Sequence, residues 1–181
     1  MEIDYGPLAG LIGAWRGDRG LDVAPESDGP AESPYYETLE FTAAGDVENF
    51  EEQTLAVVRY HQAVFRKSND EAFHDQVGYW LWDAESGLVM QTLTIPRAVS
   101  LVAGGRAEGD GPIVLRVRAG GGDPDWPISQ SPMMRDRART LAFEHELTID
   151  GDVLRYSEKT TVAIYDQAAF AHTDVNELHR A

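Results

Sequence analysis

The stretch Leu11-Ile12-Gly13-Ala14-Trp15-Arg16-Gly17 decides how the rest of the chain is read. It is an apolar run that meets a Gly-x-Trp-x-Gly unit close to the start. A tryptophan flanked by glycines at the mouth of a first strand can lie across the end of a closed sheet, because the glycines let neighbouring backbone approach the indole. Trp15 therefore reads as a barrel plug, and it predicts strands and turns for most of the remaining chain. Ahead of it, Leu8 to Ile12 has room for one helical turn, since Pro7 and Gly10 disfavour a long helix.

Moving outward, Leu21 to Pro34 holds three prolines, Gly29 and several acidic residues without an apolar period. It reads as an irregular surface loop, a lid or an insertion. Tyr35 to Phe41 is rich in β-favouring residues and ends in a turn at Ala44-Gly45-Asp46. Phe50 to Phe65 supplies one or two strands. Phe73 to Trp82 alternates, with Phe73, Asp75, Val77, Tyr79 and Leu81 on one face and His74, Gln76, Trp80 and Trp82 on the other. Gly78 marks a close backbone approach or a bulge. Leu88 to Ile95, Ala98 to Ala103 and Ile113 to Arg118 continue the pattern, while Met133 to Arg139 fits either a strand start or one helical turn. Thr140 to Ile149 and Asp152 to Tyr165 flank Asp150-Gly151, which predicts a type I′ hairpin. The tail from Asp166 to Ala181 is left to close the sheet as a final strand.

About ten strands with frequent turn signals and no long helix predict an all-β fold, a closed antiparallel up-and-down barrel or a sandwich. Polar residues at inward-candidate positions (Thr38, Gln62, Gln76, Gln91 and Thr92) favour a barrel with a cavity. At 181 residues the chain fits one domain, residues 1–181. Lys and Arg number 15 against 31 Asp and Glu, a net charge of −16, which repels nucleic-acid phosphates and anionic membranes. The absence of cysteine excludes disulfides, thiolate metal sites and covalent c-type haem. Histidine is then the strongest metal ligand available. The start lacks the pattern of a signal peptide and nothing later is long enough to span a bilayer, so a cytoplasmic protein is expected.

Several stretches together resemble the nitrobindin family of haem-binding, ten-stranded barrels, shaped like calycins and fatty-acid-binding proteins. Gly13-Ala14-Trp15-Arg16-Gly17 resembles the family's opening motif, and Tyr60-x-Gln62 with Phe65 resembles its Tyr-x-Gln and aromatic pair. His74-x-x-x-Gly78-Tyr79-Trp80 resembles its His-x-Glu-x-Gly-Tyr strand, with Gln76 in place of the glutamate. Pro96 falls where the family has Gln-Pro-Thr-Gly. Arg139 onward, through Leu147, Gly151-Asp152 and Leu154-x-Tyr156, resembles the penultimate hairpin. His172 with Leu178-His179-Arg180 resembles the C-terminal segment that supplies the haem ligand, although Thr173 follows His172 where the family can show adjacent histidines.

The resemblance implies b-type ferric haem bound through His172 and a reaction with nitric oxide or peroxynitrite. Phe170 and Val162 would supply an apolar shell, and Pro96 and His74 would lie near the cofactor. By themselves, the residues favour a solvated terminal role for His172 and a strand histidine satisfied by its neighbours for His74; the resemblance brings the ligand reading of His172 level with the solvated one. Glu144-His145-Glu146 has the composition of a metal cluster, but strand alternation sends His145 to the face opposite both glutamates, and the triplet reads as a solvated strand face. No nucleophile elbow, phosphate loop or dinucleotide fingerprint is present. Two further readings use the same fold: a haem-free carrier or sensor of a fatty acid or other hydrophobic molecule, and an interaction module acting through the Leu21–Pro34 loop. A second copy of the chain is a further candidate partner.

Overall fold

A computed structural model describes residues 3–181. A 3-10 turn, Gly6–Leu11, precedes β1 (Gly13–Glu26), β2 (Gly29–Asn49), β3 (Gln53–Arg66), β4 (Ala72–Asp83), β5 (Leu88–Ile95), β6 (Val99–Glu108) and β7 (Ile113–Gly120). The short β8 (Ile128–Gln130) and α1 (Pro132–Arg137) come next, then β9 (Ala138–Asp150), β10 (Val153–Ile164) and β11 (Gln167–Arg180). The sheet runs β5-β4-β3-β2-β1-β11-β10-β9-β7-β6, and β6 pairs back onto β5. Ten antiparallel strands thus close into a barrel and leave no free edge among themselves. β8 is a three-residue addition to β6, pairing Val99 with Gln130 and Leu101 with Ile128.

The first strand and the last meet as the opening motif requires. β1 pairs with β11, Trp15 opposite Arg180, and the Trp15 side chain is fully buried. Its indole Nε1 donates to the Leu11 carbonyl at 2.7 Å, and the Arg180 guanidinium stacks 4.2 Å above the ring. Leu8 and Leu11 of the 3-10 turn are buried in the same apolar cluster as Leu39, Phe41, Leu147, Ile149, Leu154 and Leu178. This end of the barrel is therefore stoppered. Alternation dictates which side chains do it, since residues two apart on each strand share the inward face.

Three expectations change and one open alternative is settled. Leu21 to Pro34 is not an irregular loop: β1 and β2 run on as a paired hairpin, with Leu21 opposite Pro34, Asp22 opposite Ser33 and Glu26 opposite Gly29. This part of the ribbon needs no apolar period because most of its residues are only partly buried or exposed. Thr38 and Thr92 face outward, and Glu37, one position from Thr38, takes the inward place. A one-residue step reverses the face. The β9–β10 turn is centred one residue later than predicted, on Gly151-Asp152, with Asp150 paired to Val153. Gly151 alone there has positive φ, at 58°, whereas a type I′ turn needs it at both central residues. Met133 to Arg137 resolves as helix, capped by the Ser131 hydroxyl accepting from the Met134 N–H.

Candidate polar site at the barrel mouth

The site lies at the end away from Trp15. Asp22 is seven residues further along β1, about 20 Å at the rise of a β-strand. On β11, His172 faces inward at this end with about 31% of its side chain exposed, and its Nε2 lies 2.6 Å from Oδ1 of Asp22 and 3.5 Å from Oδ2 of Asp174. The Asp22 side chain is only 6% exposed. One donor atom from each of these three residues falls within 4.8 Å of the others. Strand register explains the convergence: Asp22 pairs with Asp174, Asp174 with Glu158, and Glu158 with His145. Four titratable side chains therefore form one inward-facing row across β1, β11, β10 and β9, with His172 one step above it.

Burial opposes charge on these groups, and their neighbours decide the outcome. For His172, burial lowers the pKa, but the Asp22 hydrogen bond and the charges of Asp174 and Asp22 outweigh it and the net shift is upward. Asp174 is raised by burial and by Glu158, and Glu158 by burial and by Glu37. His74, whose Nε2 is 3.3 Å from Oε1 of Gln76, is lowered by burial, with His172 and Arg97 adding to the effect. The mouth thus holds an acidic wall on β1, β10 and β11, with His74 on β4 and Arg97 in the β5–β6 turn close enough to bear on it.

Below the mouth the barrel interior is polar and filled. Glu37, 1% exposed, accepts from Gln62 at 2.6 Å, Asn176 at 2.7 Å and Tyr156 at 2.9 Å. Tyr156 in turn lies 2.7 Å from the Tyr35 hydroxyl. Tyr60 accepts from both Gln76 and Gln91, and Gln91 Oε1 lies 2.9 Å from Nδ1 of His145. Burial pushes the His145 pKa down to about 3, so it is neutral at pH 7, and its Nε2 has no hydrogen-bond partner among the described residues. The space among these residues is about 10 Å³, which is about one water. The larger recess, about 490 Å³, lies on the outer wall over Gly78, lined by Thr42, Arg59, His61, Tyr79 and Thr94. It is open to solvent and shares no residue with the mouth.

The THAP4-like, heme-binding beta-barrel domain matches residues 4–180, nearly the whole chain. The chain belongs to this family. Among solved structures, that of Rv2717c from M. tuberculosis superposes with a TM-score of 0.73 over 98% of this chain and 99% of that one, at 23% sequence identity. At that identity the likeness shows the shared fold. No curated protein is significantly similar in sequence. The expected resemblance to haem-binding, calycin-like barrels is therefore confirmed at the level of family and architecture.

Within this heme-binding barrel family, the predicted residues take definite places. His172 and His74 both project inward at the mouth. Val162 occupies the rim of β10 opposite Phe170, four residues beyond Glu158. Pro96 is exposed in the β5–β6 turn beside Arg97. Asp22, Asp174, Glu158 and Glu37 carry no motif that marks them as site residues in the sequence. His145 belongs to the interior: Glu144 and Glu146 are on the solvated face, paired with Lys159 and Arg116, while His145 is 8% exposed inside the barrel. The signal was available, since Phe143 and Leu147 flank it at two-residue spacing and both are core residues.

The fit of a haem can be tested on this geometry. The interior space, about 10 Å³, is too small for a macrocycle, and the inward imidazoles lie above it at the mouth. There the donor chemistry is suitable: an inward imidazole on His172, a second on His74, and Arg97 as a cation for a carboxylate. A carboxylate bonded to a ligating histidine raises its strength as a donor. Asp22 plays that part for His172 but does so at Nε2, so iron taken at Nε2 must displace Asp22.

Proposed function

We propose that this barrel is a ligand-binding protein that takes ferric b-type haem at its mouth, with His172 as the protein ligand to iron. The observation that carries this reading is the inward, half-buried imidazole of His172 at the end away from Trp15, in a barrel whose family is described as haem-binding. His74 faces the same space as a neutral imidazole, Arg97 offers charge to a propionate, and Val162 and Phe170 supply apolar rim. When bound, haem supplies a ferric centre for reaction with nitric oxide or peroxynitrite. The residues of the chain hold it and exclude solvent from one side, and Asp22 gives up its contact with Nε2 of His172 when iron is taken there.

A carrier of fatty acid gains no support from the interior, where the free space is about one water and the lining includes Gln62, Gln76, Gln91, His145 and Glu158. Haem titration with absorbance at the Soret band tests the proposal. The expected result is saturable one-to-one binding that His172→Ala weakens at least tenfold, in the range given for supporting residues of metal sites. No saturable Soret change, or a titration unaltered in His172→Ala, refutes it.

A further inference from the structure

The structure assigns a second occupant to the mouth: we infer that Asp22, His172 and Asp174 form a site for a bare first-row divalent cation, of the Zn²⁺ or Fe²⁺ class, that competes with haem for His172. Three observations lead there. The donors converge, with Nε2 of His172 between Oδ1 of Asp22 at 2.6 Å and Oδ2 of Asp174 at 3.5 Å, and all three donor atoms fall within 4.8 Å of one another. They come from two adjacent strands locked in register, Asp22 opposite Asp174, so the backbone fixes the spacing of the carboxylates. Finally, carboxyl groups outnumber bases on this wall. Asp22, Asp174 and Glu158 follow one another across three neighbouring strands, and His172 is the base in contact with both aspartates.

A lone His–Asp ion pair accounts for Asp22 but leaves Asp174 and Glu158 facing one another. A divalent ion compensates Asp22 and Asp174 together and leaves the imidazole neutral as its third donor. One nitrogen and two carboxylate oxygens suit a borderline cation better than Mg²⁺ or Ca²⁺, which prefer all-oxygen sites. Three protein donors also leave a coordination position for water or a small ligand on the solvent side, the arrangement of open rather than purely structural sites. The cation takes the rotamer of His172 seen here, with Nε2 turned to Asp22, whereas haem iron at Nε2 requires that contact to break. The two occupants therefore exclude each other.

The test uses the full chain, dialysed against chelator and titrated with Zn²⁺ by calorimetry, beside Asp174→Asn, Asp22→Asn and, as a control, His61→Ala from the exposed His61–Asp75 pair. The expected result is one equivalent of Zn²⁺ bound by the wild type and by His61→Ala, with affinity at least tenfold lower in both Asn variants, and a Soret titration shifted to higher haem concentration by saturating Zn²⁺. Circular dichroism establishes that each variant is folded, and Asp174→Glu serves if an Asn variant is not. Binding that both Asn variants retain, or no stoichiometric binding by the folded wild type, overturns the proposal. A haem titration indifferent to bound Zn²⁺ overturns the shared use of His172. The haem reading fails separately, if the Soret titration without added metal shows no saturation while Zn²⁺ still binds.

Discussion

Tyr156→Phe removes one oxygen from the centre of the buried network, and its cost can be worked from the bonds that oxygen makes. The Tyr156 hydroxyl donates to Glu37 Oε1 at 2.9 Å. Its single proton is thereby committed, so the 2.7 Å contact with Tyr35 must have Tyr35 as donor. Gln62 also approaches the same oxygen at 3.2 Å, but its shorter bond to Glu37 at 2.6 Å survives the substitution. Phenylalanine fills the same volume, so no cavity term enters. A hydrogen bond to a charged group contributes about 1.5–3 kcal/mol and a neutral one about 0.5–1.5. The variant is accordingly expected to lose about 2–4 kcal/mol at pH 8. For a chain of this size that lowers Tm by roughly 5–15 °C.

The pH dependence supplies the sharper check. Burial raises the Glu37 pKa above its ordinary value, and the bonds from Gln62, Asn176 and Tyr156 hold it back. A raised carboxylate pKa means stability is highest below the unfolded pKa and is lost as pH rises through the folded one. Removing the Tyr156 bond raises the folded pKa further, so the deficit of the variant grows as pH rises. Protonation of Glu37 at lower pH makes the lost bond nearer a neutral one, so the deficit at pH 5 is the smaller of the two. Denaturant unfolding followed by circular dichroism at the two pH values measures both deficits. A deficit below about 0.5 kcal/mol throughout, or one that is larger at pH 5, refutes the reasoning.

Three other outcomes are expected from the same geometry. Gly78→Ala should destabilise by about 3 kcal/mol, the upper part of the overpacking range, because a Cβ there overlaps the Thr92 carbonyl oxygen in the β4–β5 ladder; Gly111→Ala, with open space around it, should unfold like the wild type. His145 is held neutral inside, so the wild type should lose stability as pH falls from about 6.5 toward about 3, and His145→Gln should show a flatter acid limb in the same pH series of melts. Arg180→Ala removes the guanidinium that covers Trp15 and donates to the Gly10 and Ile12 carbonyls, and differential scanning calorimetry should register a loss of about 1–3 kcal/mol.

The barrel was legible because closure leaves its mark at short range. Trp15 between glycines, the alternation of Phe73 to Trp82 and the turn at Gly151 each constrain a few neighbouring residues, and together they leave little besides a closed antiparallel sheet. His172 and His74 were singled out through their motifs, and both lie on the inward face at one end. Asp22 was not legible. It belongs to a ribbon rich in proline and glutamate whose pairing rests on backbone hydrogen bonds and a two-residue turn, and such a ribbon needs no apolar period to announce it. Its pairing with Asp174, some 150 residues away, is a property of barrel closure and of nothing local. Glu37 and His145 are a different case, since each lies two residues from core side chains (Tyr35 and Leu39, Phe143 and Leu147), and period two alone would have turned them inward.

That distinction bears on how the two halves of the interior divide their work. The stoppered half, from Trp15 to Leu178, is apolar and close-packed, and it supplies the burial that holds the sheet closed. It can therefore tolerate an upper half in which Glu158, Asp174 and Asp22 stand beside one another on neighbouring strands. Buried carboxylates without full compensation are a standing cost, and any ligand that brings positive charge or metal to the mouth reduces it. Because the cost is concentrated at one end and the scaffold at the other, occupancy of the mouth can change the charge state of His172 and its acidic neighbours without asking the barrel to rearrange.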